Sequence, residues 1–273
     1  MNTKKIIITI IAIVCSITLY SYFNWQSPYP TWPKKAIIVG ASSGIGKSVA
    51  HIFSQNGYEV GLVARRMDLL LELQKSLPTR SYVKQIDVAQ TDQAMVLLKE
   101  LADQMGGYTL IVINSAVGFT DVDHNWTKQK QQIDVNVLGF AAMAHVALEH
   151  FMQQGYGHLV GVTSMAGIRG VKNVYTYHAT KAFDSIFLEG IRSTVKSKML
   201  PIYVTDIIPG FVETDMTKGQ EGKMFWVVKP EVAAQQIYDA VKAKRHIAYV
   251  PKRWRLIAWF MKTAPDWLFD KIF

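Results

Sequence analysis

Cysteine is nearly absent from this chain. Only Cys15 occurs among the 273 residues, so no intrachain disulfide and no cysteine-rich zinc site can form. Internal repeats of solenoid period and low-complexity tracts are also lacking, which excludes repeat architectures. Charged residues make up 19% and hydrophobic residues 49%, a balance that allows a full core. We therefore expect one folded domain of about 240 residues.

Acidic residues are in deficit. With 30 lysines and arginines against 21 aspartates and glutamates, the formal net charge is +9. A net positive charge of this size suits a nucleic acid, an anionic membrane surface or a polyanionic cofactor as partner. Charge alone leaves all three open.

The first part of the chain lacks charge over a long stretch. Residues 6–23 carry none, and a helix of about 18 residues is about 27 Å long, close to the ~30 Å hydrocarbon thickness of a bilayer. Aromatic residues gather at its end, as in an interfacial belt. A transmembrane anchor is expected over residues 1–26, followed by a proline-rich linker over residues 27–35. A cleaved signal peptide is the alternative, although no short apolar region with a small-residue cleavage site is evident.

Beyond this segment, short apolar runs alternate with longer segments. Several runs are apolar at consecutive positions, as in parallel strands covered by helices on both faces. The runs are residues 36–40, 59–64, 81–87, 110–114, 158–164, 202–209 and 247–250. The pattern predicts an α/β domain over residues 36–250 with a Rossmann-like, doubly wound sheet of seven parallel strands.

A glycine-rich turn follows the first run. The sequence GASSGIGKSVAHIF places Gly40, Gly44 and Gly46 between a strand and a helix. Such a turn directs free backbone N–H groups and the positive end of the helix dipole at one point, which suits a pyrophosphate. Structural glycines in a tight turn are the alternative, but the strand before and the helix after favour phosphate binding.

Tyrosine and lysine stand four residues apart in YHATK, residues 177–181. On a helix, Tyr177 and Lys181 lie on one face, where the lysine charge acts on the phenol. A pair with this spacing also occurs by chance on solvated helix faces. A catalytic interpretation of Tyr177 and Lys181 therefore needs further motifs elsewhere in the sequence.

An ordered series of motifs supports that interpretation. The motifs are GASSGIG, Asn114-Ser115-Ala116, Asn136 in DVNVLG, Ser164 in VTSMAG, YHATK and PGFVET at residues 209–214. Over roughly residues 35–250 this series resembles the short-chain dehydrogenase/reductase family. Each motif alone is unspecific, but the order and the spacing together are specific.

The resemblance implies a catalytic set. Reducing a carbonyl by hydride transfer builds negative charge on oxygen, so the site needs a proton donor and a second hydrogen bond. Tyr177 is implied as the donor and Ser164 as the residue that binds the substrate oxygen. A tyrosine ordinarily has a pKa of about 10, and an ammonium one turn away favours the phenolate. Lys181 is implied to supply that charge and to bind the nicotinamide ribose, and Asn136 to position a water that relays protons to Lys181.

The same resemblance implies a dinucleotide site. Asp87 is expected at the adenine and Thr214 at the carboxamide, and Tyr177 and Lys181 are shared with catalysis. The other cofactor-binding positions are Gly40, Ser42, Ser43, Gly44, Ile45, Gly46, Arg65, Arg66, Val88, Asn114, Pro209 and Val212. Taken singly, Ser164, Asn136 and Asp87 also fit ordinary capping or turn roles.

The end of the second predicted strand indicates the cofactor. Enzymes that prefer NAD commonly place a carboxylate there, but this chain has Ala64, Arg65 and Arg66. Arg65 matches the family position that binds a 2′-phosphate, and Ser42 adds a hydroxyl. NADPH is therefore the predicted cofactor; a pair of solvated surface arginines is the alternative.

Two parts of the chain are not explained by the family pattern. Val117 stands where the family usually has a glycine, which is expected to narrow the nicotinamide pocket or to shift the loop toward Gly118. The tail over residues 251–273 mixes aromatic and basic residues, and its apolar positions cover most of a helix circumference. We expect an interfacial or lid-like element there; burial against the core or in a dimer interface is the alternative.

Together these features predict a membrane-anchored, NADPH-dependent oxidoreductase for a hydrophobic carbonyl or alcohol, with its catalytic domain on the cytoplasmic side. A non-catalytic NADP-binding scaffold or redox sensor is the alternative, and nucleotide-sugar epimerases fit poorly because their glycine spacing differs. No nucleic acid and no metal ion is expected as partner. The resemblance also implies a homodimer or a homotetramer as the assembly.

Overall fold

The computed structural model describes residues 32–218 and 224–272. The predicted membrane anchor, residues 27–31 of the predicted linker and residues 219–223 lie outside this part of the chain. The architecture below concerns the unit that begins at Lys34.

Seven parallel strands form one sheet, in the order β3-β2-β1-β4-β5-β6-β7. They are β1 Lys35–Val39, β2 Glu59–Ala64, β3 Ser81–Gln85, β4 Leu110–Ile113, β5 Gly157–Val162, β6 Ile202–Pro209 and β7 Ile247–Val250. The predicted doubly wound, seven-stranded parallel sheet is confirmed. The predicted bounds of β2, β6 and β7 agree with these, and the other four strands differ from prediction by one or two residues, β3 and β4 at one end and β1 and β5 at both ends.

Helices cover both faces of the sheet. They are α1 Gly44–Gln55, α2 Met67–Ser76, α3 Thr91–Met105, α4 Trp126–Ile133, α5 Phe140–Gln154, α6 Tyr175–Ser197, α7 Pro230–Lys242, α8 Trp254–Thr263 and α9 Asp266–Ile272. A π-helical segment, Asp134–Gly139, joins α4 to α5. Successive β1 residues alternate between the two faces: Ile37 packs with α3, α5 and α6, and Ile38 packs with α1, α2 and α7. The continuous apolar runs in the sequence follow from this burial on two sides.

The helical stretch Trp126–Gln154 is apolar and long enough to cross a membrane. More than half of its most apolar window is buried in the domain, however, and α5 packs against the sheet. We therefore assign it as a core helix.

The order in which strands are added to the sheet switches from one side to the other between β1 and β4. From β1 the chain proceeds to β2 and β3 on one side, and from β4 to β5, β6 and β7 on the other. The loops after β1 and β4 therefore separate at the carboxyl ends of the strands and leave a crevice, which is where open α/β sheets bind ligands.

Asp121 secures the start of α6, the helix that carries the YHATK segment. The residue that precedes the helix, Val174, offers no capping side chain. Instead, the buried Asp121 carboxylate accepts hydrogen bonds from Thr176 N (2.9 Å), Thr176 Oγ1 (2.7 Å) and Gln129 Nε2 (3.1 Å). Burial alone would raise the pKa of Asp121, but the hydrogen bonds from Thr176 and Gln129 outweigh it and lower that pKa.

The tail folds back onto the domain. Trp254, Ala258, Met261 and Phe269 are buried in one cluster that includes Met165. Arg169 holds the two tail helices together, because its guanidinium donates to Ala264 O (2.6 Å), pairs with Asp266 and lies 4.1 Å from the centre of the Phe269 ring. The inner face of the tail is thus core, as the alternative interpretation held.

The outer face of the tail stays exposed. Trp259 and Trp267 are 68% and 72% accessible, and Leu256 is 65% accessible. Such exposure of two tryptophans is unusual unless something else covers them.

Asp121→Ala should destabilise the domain by about 1–3 kcal/mol, because it leaves the first turn of α6 without its capping carboxylate. Asp121 contributes this stability above the unfolded carboxyl pKa, and loses it as pH falls through its lowered folded pKa. Urea unfolding at pH 7 and at pH 3 measures both effects. Asp123→Asn is the control: Asp123 is exposed and its ion pair with Lys128 is at the surface, so loss of its charge should change the unfolding midpoint little. Equal midpoints for the two variants would contradict the capping role.

Candidate active site

The glycine turn after β1 approaches the loop after β4 closely. Gly40 has a φ of +86°, and a Cβ there would lie 2.7 Å from Ser115 N. A Cβ on Gly46 would lie 2.1 Å from Gly40 O. Asn114 Nδ2 donates to the same carbonyl at 3.3 Å. Only glycine fits at both positions, so the turn is held against the crevice.

The first turn of α1 faces this crevice with free N–H groups. Ser43 precedes the helix but makes no side-chain capping bond, and no acidic residue occupies the first turn. Uncapped N–H groups and the helix dipole together attract an anion. The turn therefore fits the pyrophosphate of a dinucleotide.

Arg65 and Arg66 follow β2 directly and lie beside this turn. The Arg66 guanidinium donates to Ser42 Oγ at 2.9 Å and to Ser43 Oγ at 2.7 Å. Arg65 also lines the cavity, and its backbone carbonyl accepts from Gln85 Nε2 at 2.8 Å. Both arginines are exposed. The sequence favoured Arg65 with Ser42, whereas the structure brings Arg66 to Ser42.

The loop after β3 lines the same part of the cavity as the glycine turn, on the opposite side. Asp87 Oδ1 accepts from Ala89 N at 3.1 Å, which fixes the loop, and Asp87 and Val88 both line the cavity.

Ser164, Tyr177 and Lys181 face one cavity. Ser164 lies just beyond β5, and its Oγ accepts from Ala166 N at 3.1 Å, so its own hydrogen is free to donate outward. The Tyr177 ring lies beside Gly118, where a Cβ would approach the ring to 3.4 Å. Ser164 and Tyr177 are half-buried, and Lys181 lies deeper, at 2% exposure.

Lys181 has a partner that the sequence analysis missed. Its Nζ donates to Asp184 Oδ2 at 3.0 Å and to Val162 O at 3.2 Å. Burial alone would lower the pKa of Lys181, but Asp184 and, to a lesser extent, Tyr177 and Asp206 raise it overall. The Lys-x-x-Asp spacing on one helix was a visible signal.

Asn136 lies behind the cavity wall and not in it. It is fully buried, and its amide bonds to both backbone groups of Val117 at 2.8 Å and to Thr180 Oγ1 at 3.0 Å. These bonds use both amide hydrogens, so the Asn136 side chain acts on the loop that carries Val117. The water relay implied for Asn136 stays a prediction.

The cavity has a volume of about 980 Å³. Of the predicted site residues, all except Gly46 and Asn136 line it. Val117 lines it as well, and its side chain also packs against the core. Apolar residues form the wall away from the glycine turn: Val171, Phe211, Met216, Phe225, Trp254, Ile257, Phe260 and Met261. The last four come from the tail and were not predicted individually as site residues.

Comparison with known protein families gives one match that covers most of the chain. The family model for short chain dehydrogenases matches residues 34–224. These residues include the glycine turn and the segment from Ser164 to Lys181.

Individual proteins agree with this match. A relative from Myxococcus xanthus, named as an uncharacterized oxidoreductase, is 31% identical over 244 residues, which are 87% of this chain and 95% of the relative. Among solved structures, a short chain dehydrogenase/reductase from Burkholderia phymatum in complex with NAD has a TM-score of 0.76 at 18% identity, over 84% of this chain and 92% of that one. A short-chain dehydrogenase from Sphingobium yanoikuyae in complex with NADPH has a TM-score of 0.70 at 21% identity, over 83% and 92%.

Proposed function

From the premise that this chain belongs to the short-chain dehydrogenase/reductase family and is an oxidoreductase acting on a CH–OH or C=O group, we propose that it is an NADPH-dependent enzyme for a hydrophobic carbonyl or alcohol, working at a membrane. The observation that carries this proposal is the convergence of Ser164, Tyr177 and Lys181 on a cavity that also contains the glycine turn.

The proposed chemistry assigns one task to each side chain. The glycine turn and Lys181 would hold a nicotinamide dinucleotide, which would supply the hydride for the carbonyl carbon. Tyr177 Oη donates a proton to the carbonyl oxygen, which completes the alcohol, and Ser164 Oγ donates a hydrogen bond that stabilises the charge on that oxygen. Lys181 supplies the positive charge beside Tyr177. In the oxidation direction, Tyr177 takes the proton back.

The preference for NADPH rests on charge. No carboxylate follows β2, and Arg65 and Arg66 lie there with the hydroxyls of Ser42 and Ser43. A guanidinium beside two hydroxyls suits a 2′-phosphate, whereas NAD offers only a ribose hydroxyl at that point. The solved structures do not decide between the cofactors, since one contains NAD and another NADPH.

The hydrophobic substrate is proposed from the cavity wall. Phe211, Phe225 and Trp254 pack edge to face or stacked within 6.0 Å of one another between ring centres, and Ile257 and Phe260 continue the wall. A small polar metabolite would leave such a wall uncovered, while an extended apolar chain or ring system would fill it.

The membrane location is proposed from both ends of the chain. The uncharged stretch at residues 6–23 suits an anchor. In the tail, the exposed Trp259 and Trp267 lie among lysines and arginines, a combination that favours anionic lipid surfaces. The use of NADPH favours the cytoplasmic side.

Tyr177→Phe should lower turnover by about 10²–10⁴-fold because it removes the proton donor and keeps the ring, while NADPH still binds. Steady-state NADPH oxidation with a panel of ketones and aldehydes measures turnover, and cofactor fluorescence measures binding. Tyr175→Phe is the matched control, since Tyr175 stands two residues earlier on α6 and bonds Gln129 outside the cavity. Activity within a few-fold of wild type in Tyr177→Phe would refute this mechanism.

Arg66→Ala and Arg65→Ala should each weaken NADPH binding by about tenfold and leave NADH nearly unchanged, the expected loss of an exposed charge-assisted contact. Lys75→Ala removes the same charge from α2 outside the cavity and should affect neither cofactor. Equal losses for NADH and NADPH, or a wild-type preference for NADH, would contradict the phosphate site.

Deletion of residues 1–26 should let a high-salt wash release the protein from the membrane fraction, because the truncated domain should bind anionic lipid only through its tail. In that domain, Trp259→Ser together with Trp267→Ser should reduce binding to anionic vesicles, because both exposed rings are lost. Trp126→Ser, at a similarly exposed tryptophan on α4, is the control. Equal retention of the full-length and the truncated protein after the high-salt wash contradicts the anchor, and faster reduction of short polar ketones than of long apolar ones contradicts the substrate class.

A further inference from the structure

Asp184 is a buried carboxylate one helical turn beyond Lys181. It is 0% exposed, and its Oδ2 lies 3.0 Å from Lys181 Nζ. A buried charge is costly unless it is paired, and removing one member of such a pair leaves the other uncompensated. The carboxylate therefore has a strong effect on the state of Lys181.

Two of the three N–H donors of the Lys181 ammonium have partners among the described residues. One points to Asp184 Oδ2 and one to Val162 O, at the end of β5. An ammonium has three donors and no acceptor, so a single donor is left for the cavity. Asp184 and β5 together fix where that donor points.

The surroundings of Asp184 control its charge. Its Oδ1 is buried and has no hydrogen-bond partner among the residues described. Asp206, on β6, adds a second negative charge; its carboxylate accepts from Thr163 Oγ1 at 2.7 Å and from Ser185, with Arg192 as a partial counter-charge. Burial, assisted by the charge of Asp206, raises the pKa of Asp184 to about 6 against the attraction of Lys181.

We propose that Asp184 is a positioning residue that acts through Lys181, fixing its ammonium and offsetting its charge, so that Tyr177 keeps its proton to higher pH than beside an unpaired lysine. This rests on the roles proposed above for Tyr177 and Lys181. An ammonium favours the phenolate, and a carboxylate 3.0 Å from that ammonium opposes this effect. A tyrosine that stays protonated is ready to donate, so the pair favours reduction of a carbonyl at neutral pH.

Asp184→Asn tests the proposal, because it keeps the shape of the side chain and removes the charge. In the oxidation direction, activity rises with pH as the tyrosine loses its proton. The midpoint of that profile should fall by about one pH unit in the variant, from the loss of one charge at this depth. Asp206→Asn is the matched control: it also removes a buried carboxylate, but one that is not bonded to Lys181, so its shift should be smaller. An unmoved midpoint, or equal shifts in both variants, overturns the proposal.

A measurement without cofactor covers the case in which Asp184→Asn does not fold. The double variant Lys181→Met with Asp184→Leu replaces the pair by apolar groups of similar volume, which proteins often tolerate. Because the folded pKa of Asp184, about 6, lies above the unfolded value of about 4, wild type should lose stability relative to the double variant as pH rises from about 4 to 6. Thermal unfolding from about pH 4 to pH 9 shows it. A difference in Tm that changes only above pH 7 means that Asp184 is protonated at neutral pH and cannot offset the charge of Lys181, which overturns the proposal.

The two levels of inference fail separately. Full activity in Tyr177→Phe refutes the role proposed for Tyr177, on which the role of Asp184 rests. Loss of activity in Tyr177→Phe, combined with an unmoved profile in Asp184→Asn, refutes only the role of Asp184.

Discussion

Most of the site depends on how closely the backbone after β1 approaches the backbone after β4. With glycine at position 40, the turn reaches Ser115 at a distance where no side chain fits, and Asn114 ties the two loops together. The N-terminus of α1 is thereby aimed into the crevice at the switch of strand order. The cavity residues in the loops after β2, β3, β5 and β6 reach the same space because these strands end at the same edge of the sheet, and α6 and the tail supply the others.

The sequence predicts the framework well for a physical reason. Parallel strands buried on two sides read as continuous apolar runs, and the carboxyl ends of such strands meet at one edge. Residues that follow these runs, such as Asn114 and Ser164, can therefore be placed together without coordinates. The segment around Tyr177 and Lys181 joins them because α6 begins near the end of β5.

Side-chain direction is what the sequence could not provide. Arg65 and Arg66 are equivalent in a one-letter string, and only the backbone at the end of β2 decides that Arg66 turns to Ser42. Asn136 looks like a cavity residue in its motif, yet the π-helical segment points its amide at Val117. Asp184 shows the same limit, because its spacing from Lys181 is visible but its complete burial depends on β5 and β6.

Arg169 joins two parts of the molecule that have different tasks. Its side chain clamps the tail helices, while its backbone carbonyl is bonded to His178 Nδ1 at 2.7 Å, next to Tyr177. The cofactor half of the cavity is built from the sheet edge, and the tail adds only to the apolar half. A substitution in the cavity-facing side of the tail would therefore reshape the apolar half of the cavity and leave in place the half that the sheet edge builds.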